Sequence, residues 1–257
     1  MKKNIVLINT KGGVGKTTLG WHLMPFLLQD RDFQIVEIDD NNNTSLAFGN
    51  SELLRNKVVS CNISKGTEKL EELVVENMIE ADKITIIDSG GGNDSRAVLN
   101  SMLSQNLTED TLFVIPYLAD FSQLKNLFET VELVKDFDFI VVLNNYIGIE
   151  NEDEMFRIGN EEFDIPNIEK VFKDKFFIVK RSNLFSFATS IHKQTIYDFA
   201  KTAFDYSRSE MLEYAKEVTG ANKEKMTQMY RSWKISDNAK DYLESKEIEK
   251  LRDRILK

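Results

Sequence analysis

The chain has 257 residues but only one cysteine, Cys61, two histidines, His22 and His192, and three prolines. A single cysteine excludes an internal disulfide and predicts a cytoplasmic protein. One cysteine and two histidines also argue against a zinc site or an iron–sulfur cluster built within one chain. No apolar run reaches the length of a membrane helix, so no span is expected. The opening "MKKNIVLINTKGG" is briefly basic and then apolar, like a secretion signal. Its apolar part is too short and runs into glycines, which predicts a buried first strand. There is no proline-rich linker, no internal repeat and no low-complexity tract.

The charge is uneven. The whole chain carries a net charge of −9, yet the segment 216–257 is net +3 and the remainder is net −12. An acidic body argues against avid nucleic-acid binding overall, and leaves room for a basic face near the C-terminus.

Six short runs are apolar at consecutive positions: "NIVLIN" at 4–9, "FQIVEID" at 33–39, "ITIID" at 84–88, "LFVIP" at 112–116, "FIVVLN" at 139–144 and "KFFIVK" at 175–180. Strands buried on both faces read this way. Helical patterns lie between them. Leu19, Leu23, Phe26 and Leu27 share one helical face, with Pro25 set to kink or shorten that helix. A helix is predicted over Thr67–Ala81, capped by Thr67. The alternation predicts a doubly wound α/β fold with a mainly parallel sheet over residues 1–204. Residues 205–257 predict a C-terminal extension of two or three helices. The seventeen phenylalanines read mostly as packing.

Chemistry concentrates in "KGGVGKTT", Lys11–Thr18. The loop follows a predicted strand and opens a predicted helix, the setting of a phosphate-binding loop. Gly12, Gly13 and Gly15 let backbone N–H groups converge on phosphate oxygens without Cβ clashes. The cradle then comprises Gly12, Gly13, Val14, Gly15, Lys16, Thr17 and Thr18, with the helix N-terminus behind it. Lys16 is placed to reach the terminal phosphates, and the Thr17 hydroxyl to ligate Mg²⁺. The strict pattern G-x-x-x-x-G-K-[ST] wants glycine at position 10, where this chain has Thr10. The pattern that is met, K-G-G-x-G-K-[ST], adds a second lysine, Lys11.

"KGGVGKTT" resembles the deviant Walker A loop of the ParA/MinD group of ATPases, which move or position plasmids, chromosomes, division sites and protein complexes. The resemblance spans roughly residues 1–200 and is firmest at Lys11–Thr18. It implies that Lys11 reaches across a dimer interface to the ATP of the other subunit. Two buried nucleotides carry much negative charge, and a second lysine per site helps to neutralise it.

"EIDDNNNT", Glu37–Thr44, matches the family's second acidic motif at Asp39, the first of two aspartates there. By resemblance Asp39 acts at the metal. The second aspartate falls on Asn41, with Asp40 between them. Asparagine can orient a water and cannot take its proton. Either Asp40 substitutes by a local shift, or hydrolysis is slow, or the site holds ATP as a switch; slow turnover is the expectation. "ITIIDSGGGND", Ile84–Asp94, resembles Walker B with a switch loop, so Asp88 is expected to act on Mg²⁺-bound water. Asn144 is the best match for an adenine contact, and the segment Val179–Phe185 for the second wall of the base pocket.

The resemblance implies ATP and Mg²⁺ as cofactors and an ATP-dependent homodimer. The loop entry "INTKGG" leans toward the partition branch: a DNA-segregation ATPase, cytoplasmic or nucleoid-associated, that binds DNA non-specifically when ATP-bound. A stimulating or centromere-binding partner is implied. Candidate DNA contacts are Lys180, Arg181, Lys223, Lys225, Arg231, Lys234, Lys240, Lys250, Arg252 and Arg254. The alternatives are a MinD-like positioning ATPase on a membrane or protein machine, and a metabolic ATP-dependent enzyme on the same fold. A membrane partner is not expected, because the tail "KEIEKLRDRILK" has three acidic residues and no aromatic, and places Ile248, Leu251, Ile255 and Leu256 on one face suited to packing on the body or on a partner helix. His22, His192 and Cys61 read as structural.

Overall fold

Seven strands form one sheet in the order β3-β2-β4-β1-β5-β6-β7, and every neighbouring pair is parallel. The computed structural model describes residues 2–38, 44–62, 68–79, 83–150 and 152–257. The strands are β1 (Asn4–Leu7), β2 (Phe33–Ile38), β3 (Val58–Ser60), β4 (Ile84–Ser89), β5 (Thr111–Tyr117), β6 (Phe139–Tyr146) and β7 (Phe176–Lys180). All six apolar runs are strands. The sequence pattern misses β3, a three-residue edge strand that is largely half-buried and so carries little apolar signal.

Successive residues feed opposite faces. Ile5 and Leu7 of β1, Leu112 and Val114 of β5, and Ile140 and Val142 of β6 enter one core. Val6 and Ile8, Phe113 and Ile115, and Val141 and Leu143 enter the other. Each fully buried aliphatic side chain contributes roughly 1.5–3 kcal/mol of transfer free energy. This is why the central strands tolerate no polar alternation.

The helices before the last strand are α1 (Lys16–Thr18), α2 (Met24–Leu27), α3 (Glu68–Ile79), α4 (Asn93–Ser104), α5 (Phe121–Val134), α6 (Met155–Ile158) and α7 (Ile168–Phe172). After it come α8 (Leu184–Phe187), α9 (Ile196–Asp205), α10 (Arg208–Thr219), α11 (Lys223–Leu243) and α12 (Lys246–Ile255). Helix α3 falls inside the predicted span, and its expected cap, Thr67, lies outside the described residues. Pro25 acts as its chemistry demands. It has no N–H for the carbonyl of Trp21, and the turn before it, Leu19–Leu23, is a π turn in which Met24 N–H reaches back to Leu19 O. Helix α2 ends within a turn.

Two of the three helices after Tyr206 begin on side-chain caps. Ser207 and Glu210 form a capping box at α10, Gly220 ends it in the left-handed region at φ 60°, and Asn222 caps α11. Their apolar faces join the body. Ala239, Leu243, Ile248, Leu251 and Ile255 belong to the same core as β1, the turn Leu19–Leu23 and α2. Trp233 packs with Ala203 of α9 and Met211 of α10. Arg252 pairs with Asp30 at 3.0 Å, Arg254 pairs with Asp138, and the Tyr242 hydroxyl donates to Lys180 O at 2.7 Å. The tail therefore packs on the body, and no described helix is long and apolar enough to cross a membrane.

Candidate nucleotide-binding site

The glycine loop lies at the C-terminal ends of the parallel strands, where open α/β sheets place their ligands. Its entry is built from polar contacts. Asn9 is fully buried; its amide donates to Pro116 O at 2.7 Å and its Oδ1 accepts from Lys11 N–H at 2.8 Å. Thr10, which stands where the strict motif has glycine, is held by α5: its N–H meets Thr130 Oγ1 at 3.4 Å.

The loop itself needs glycine at two positions for a conformational reason. Gly13 has φ +76° and Gly15 has φ +93°. A Cβ on Gly15 would also lie 1.8 Å from Asn144 Nδ2. That amide donates to Val14 O at 3.1 Å, so Asn144 fastens the end of β6 to the loop. A bulge helps to set this geometry. Asn145 is the extra residue between the Asn144–Val179 and Tyr146–Lys180 pairs; it has φ 60° and is exposed, while Asn144 is buried.

The two lysines are separated. Lys16 is buried, and its ammonium donates to Lys11 O at 3.1 Å and to Asn9 O at 3.4 Å. Lys11 is exposed at the loop's outer rim, near Asp120. The Asp120 carboxyl is held below its ordinary range chiefly by the Ser122 hydroxyl, with the Lys11 charge a lesser cause.

Two adjoining cavities open around the loop and share Gly13, Gly15, Thr17, Thr18 and Thr44. The smaller, about 360 Å³, is lined by Gly12, Lys16, Thr17, Glu37, Asp88 and Gly91. It is polar and suits phosphates. The larger, about 480 Å³, has Phe48, Asn144, Lys180, Ser182 and Phe185 in its wall and suits a nucleoside. Asn144 and three residues of the segment 179–185, Lys180, Ser182 and Phe185, thus line one cavity.

Asp88 stands at the end of β4, fully enclosed. Burial pushes its carboxyl up to about 6, against the Trp21 hydrogen bond, the Lys16 charge and the Thr17 hydroxyl, which all favour the ionised form. Its Oδ2 accepts from the Trp21 indole N–H at 2.7 Å. Its Oδ1 is buried without a hydrogen-bond partner among the described residues. An orphaned carboxylate oxygen and the Thr17 hydroxyl in the wall of one cavity suit a hard, oxygen-seeking cation such as Mg²⁺. Beyond Asp88, Gly91 packs against the glycine loop, its would-be Cβ 3.3 Å from Gly12 N and Cα. The switch-like segment is therefore in contact with the phosphate loop. Asp39, Asp40 and Asn41 lie outside the described residues.

Several site residues carried no signal in the sequence. Trp21 reads as one more apolar residue of an amphipathic helix. Glu37 is buried in the phosphate cavity, accepting from Thr44 N–H at 2.7 Å and from the Ser60 hydroxyl at 3.2 Å. It grips the chain just after the acidic motif. Ser89 and Ser95 tie β4 and α4 to β1 through Leu7 O (2.6 Å) and Asn9 O (3.0 Å). His22 is buried as expected of a structural residue. Its Nδ1 accepts from Ile196 N–H at 3.0 Å, so Nε2 carries the proton and donates to Thr189 Oγ1 at 2.9 Å. Burial lowers its pKa to about 3.

Comparison with known proteins agrees with this geometry. Residues 5–189 match the family model described as the CobQ/CobB/MinD/ParA nucleotide binding domain. Among solved structures, the MinC:MinD cell division protein complex of Aquifex aeolicus is similar at 16% identity, covering 80% of this chain and 97% of that one, with a TM-score of 0.54. The MinD cell division protein of Aquifex aeolicus is similar at 18% identity, covering 85% and 97%, with a TM-score of 0.51. An ATP complex of a McdA variant from Cyanothece is 13% identical over 93% and 96%, with a TM-score of 0.49. No curated protein sequence matches. Identities this low establish a shared fold and nothing finer. The family match covers most of the chain and coincides with the loop, the strand ends and the cavities described above, so the chain belongs to the CobQ/CobB/MinD/ParA nucleotide-binding family.

Proposed function

We propose that this protein is an ATPase switch of the ParA type, which dimerises on binding ATP and acts in plasmid or chromosome partition. The observation that carries the reading is the division of labour between the two lysines. Lys16 is buried behind the loop, where it serves the phosphates of its own subunit. Lys11 is exposed at the rim, where a second subunit's nucleotide can meet it.

In this reading the backbone N–H groups of Gly12–Thr18 bind the phosphates, and Lys16 neutralises them. Asn144 holds the loop in its binding shape. Thr17 and Asp88, with Asp39, would hold Mg²⁺, which supplies charge neutralisation between the phosphates. Gly90, Gly91 and Gly92 give the segment after Asp88 the backbone freedom of a loop that senses the terminal phosphate. With Asn41 where a second aspartate is usual, no base stands at that position, and hydrolysis is slow.

Non-specific DNA binding belongs to the same proposal, and the candidates differ in their surroundings; Lys240 is half-buried and donates to Ala203 O at 3.3 Å. Lys180, Lys234, Arg252 and Arg254 are each paired with a carboxylate: Glu247, Asp237, Asp30 and Asp138. Arg181, Lys223, Lys225, Arg231 and Lys250 remain as exposed cations. A second reading, a positioning ATPase acting on a protein machine, is supported by the likeness to MinD in its complex with MinC.

Light scattering on the wild type and Lys11→Ala, with and without ATP-Mg²⁺, tests the switch. A dimer that needs both ATP and Lys11 is expected. A wild type that stays monomeric at saturating ATP removes the proposal and leaves a nucleotide-binding domain of the metabolic kind. DNA retention at low salt then separates the two switch readings: ATP-dependent retention supports partition, and its absence supports the positioning ATPase.

A further inference from the structure

We propose that Trp21 is a positioning residue that fixes the orientation of the Asp88 carboxylate toward the cation, an inference that rests on the nucleotide-site reading above. Three observations converge on it. Trp21 is fully buried, and its indole N–H donates to Asp88 Oδ2 at 2.7 Å. The other oxygen, Oδ1, is buried with no hydrogen bond of normal geometry among the described residues, on a residue that lies near the Thr17 hydroxyl and lines the phosphate cavity with it. The indole is itself clamped, stacked on Phe48 with centroids 5.1 Å apart and planes 20° apart.

A carboxylate rotates about its last bond between two nearly equivalent orientations. Pinning one oxygen with a hydrogen bond fixes the carboxylate plane and leaves the other oxygen with both lone pairs for a cation. A buried indole N–H needs some acceptor, and a backbone carbonyl would serve. Here it takes one oxygen of a carboxylate that lines the phosphate cavity and whose other oxygen is left without a hydrogen bond.

The local backbone explains how the indole reaches that depth. Pro25 cannot donate to the Trp21 carbonyl, and the turn over Leu19–Leu23 closes with the wider bond from Met24 N–H to Leu19 O. The turn lies against the strand end at Gly20, where a Cβ would sit in ordinary van der Waals contact, 3.7 Å from Asp88 Cγ. Phe48 closes the turn Thr44–Phe48 and also lines the larger cavity. The indole therefore connects the wall of the nucleoside cavity to the cation oxygen.

The test uses ADP with and without Mg²⁺ on the full chain. Trp21→Phe keeps an aromatic ring against Phe48 and removes the N–H. Calorimetry is expected to show Mg²⁺-free ADP affinity within about twofold of wild type, while the Mg²⁺ concentration giving half of the affinity gain rises about tenfold. A purely structural tryptophan would lower stability and leave that Mg²⁺ midpoint where it was, and such a result overturns the proposal. If Trp21→Phe does not fold, the indole N–H resonance of Trp21 answers instead, read in ¹⁵N-labelled Trp233→Phe protein. It is expected to shift when Mg²⁺ is added to the ADP complex; an unmoved resonance overturns the proposal. A wild type that binds ADP with Mg²⁺ but shows neither effect loses only the role of Trp21. A wild type that binds no nucleotide removes the site reading and this inference with it.

Discussion

The side-chain amide of Asn144 and the backbone of Gly15 occupy adjoining space: a single methyl group on the glycine would sit 1.8 Å from the amide nitrogen. The same amide donates to Val14 O, so the end of β6 and the phosphate loop are built as one piece. The sequence assigned Asn144 to a base contact. Its placement shows it holding the loop.

Gly15→Ala forces both a collision with Asn144 and a side chain at φ +93°. Strain of this kind costs on the order of 1–3 kcal/mol before the clash is counted. Nucleotide binding should fall by more than about tenfold, measured by calorimetry. Asn144→Ala removes the collision partner, so in the double variant part of the lost affinity should return. No recovery would show that backbone strain alone carries the defect.

Lys16→Ala and Lys11→Ala should part company. Lys16 is enclosed with the phosphate cavity, so its loss should weaken nucleotide binding by about a hundredfold, on the scale of a preorganised charge contact. Lys11 is exposed, so its loss should leave monomer affinity within about threefold and abolish ATP-dependent dimerisation. Equal effects of the two on binding to the monomer would contradict the assignment.

His22 gives the fold a pH dependence of known sign. Its folded pKa is depressed, from 6.5 to about 3, so its contribution is complete above 6.5 and is lost as pH falls from there toward 3. The slope approaches roughly 1.4 kcal/mol per pH unit. Asp88 acts oppositely below about 6, because its raised pKa favours the folded state as it takes up a proton. His22→Gln isolates the histidine, since glutamine can keep both hydrogen bonds and does not titrate. Between about pH 6.5 and 5, wild type should lose roughly 2 kcal/mol more than His22→Gln in urea unfolding. Parallel curves would mean that the imidazole is protonated in place at no cost.

Leu251 of α12 is fully buried in the core shared with β1. Leu251→Ala should destabilise the whole chain by about 2–5 kcal/mol. The urea transition should remain single if α12 unfolds with the sheet. The same burial predicts no binding to lipid vesicles, with or without the last twelve residues. Flotation of the chain with vesicles that depends on those residues would reverse the packing reading.

Much of this protein is local and therefore legible in one dimension. Runs such as "IVLI" and "FIVV" must be buried on both faces, and parallel strands follow from that. "KGGVGKTT" fixes a strand–loop–helix because glycines at 13 and 15 allow the positive φ that the loop adopts. Capping residues such as Ser207 and Asn222 mark helix starts through contacts only three residues long. Pro25 announces its own disturbance of the first helix, because a missing N–H is a property of the residue. What no local rule contains is pairing across long separations. Trp21 meets Asp88 sixty-seven positions later, and Asn144 meets Val14 one hundred and thirty positions earlier. Glu37 becomes part of the phosphate cavity only because β2 lies beside β4. The three-residue strand β3 exists only because β2 offers it an edge. Two of the tail's arginines, Arg252 and Arg254, pair with Asp30 and Asp138, which the chain order keeps far away. Apolar pattern and backbone chemistry act between neighbours, so they set the elements; the partners of buried polar groups are chosen only when the elements are packed.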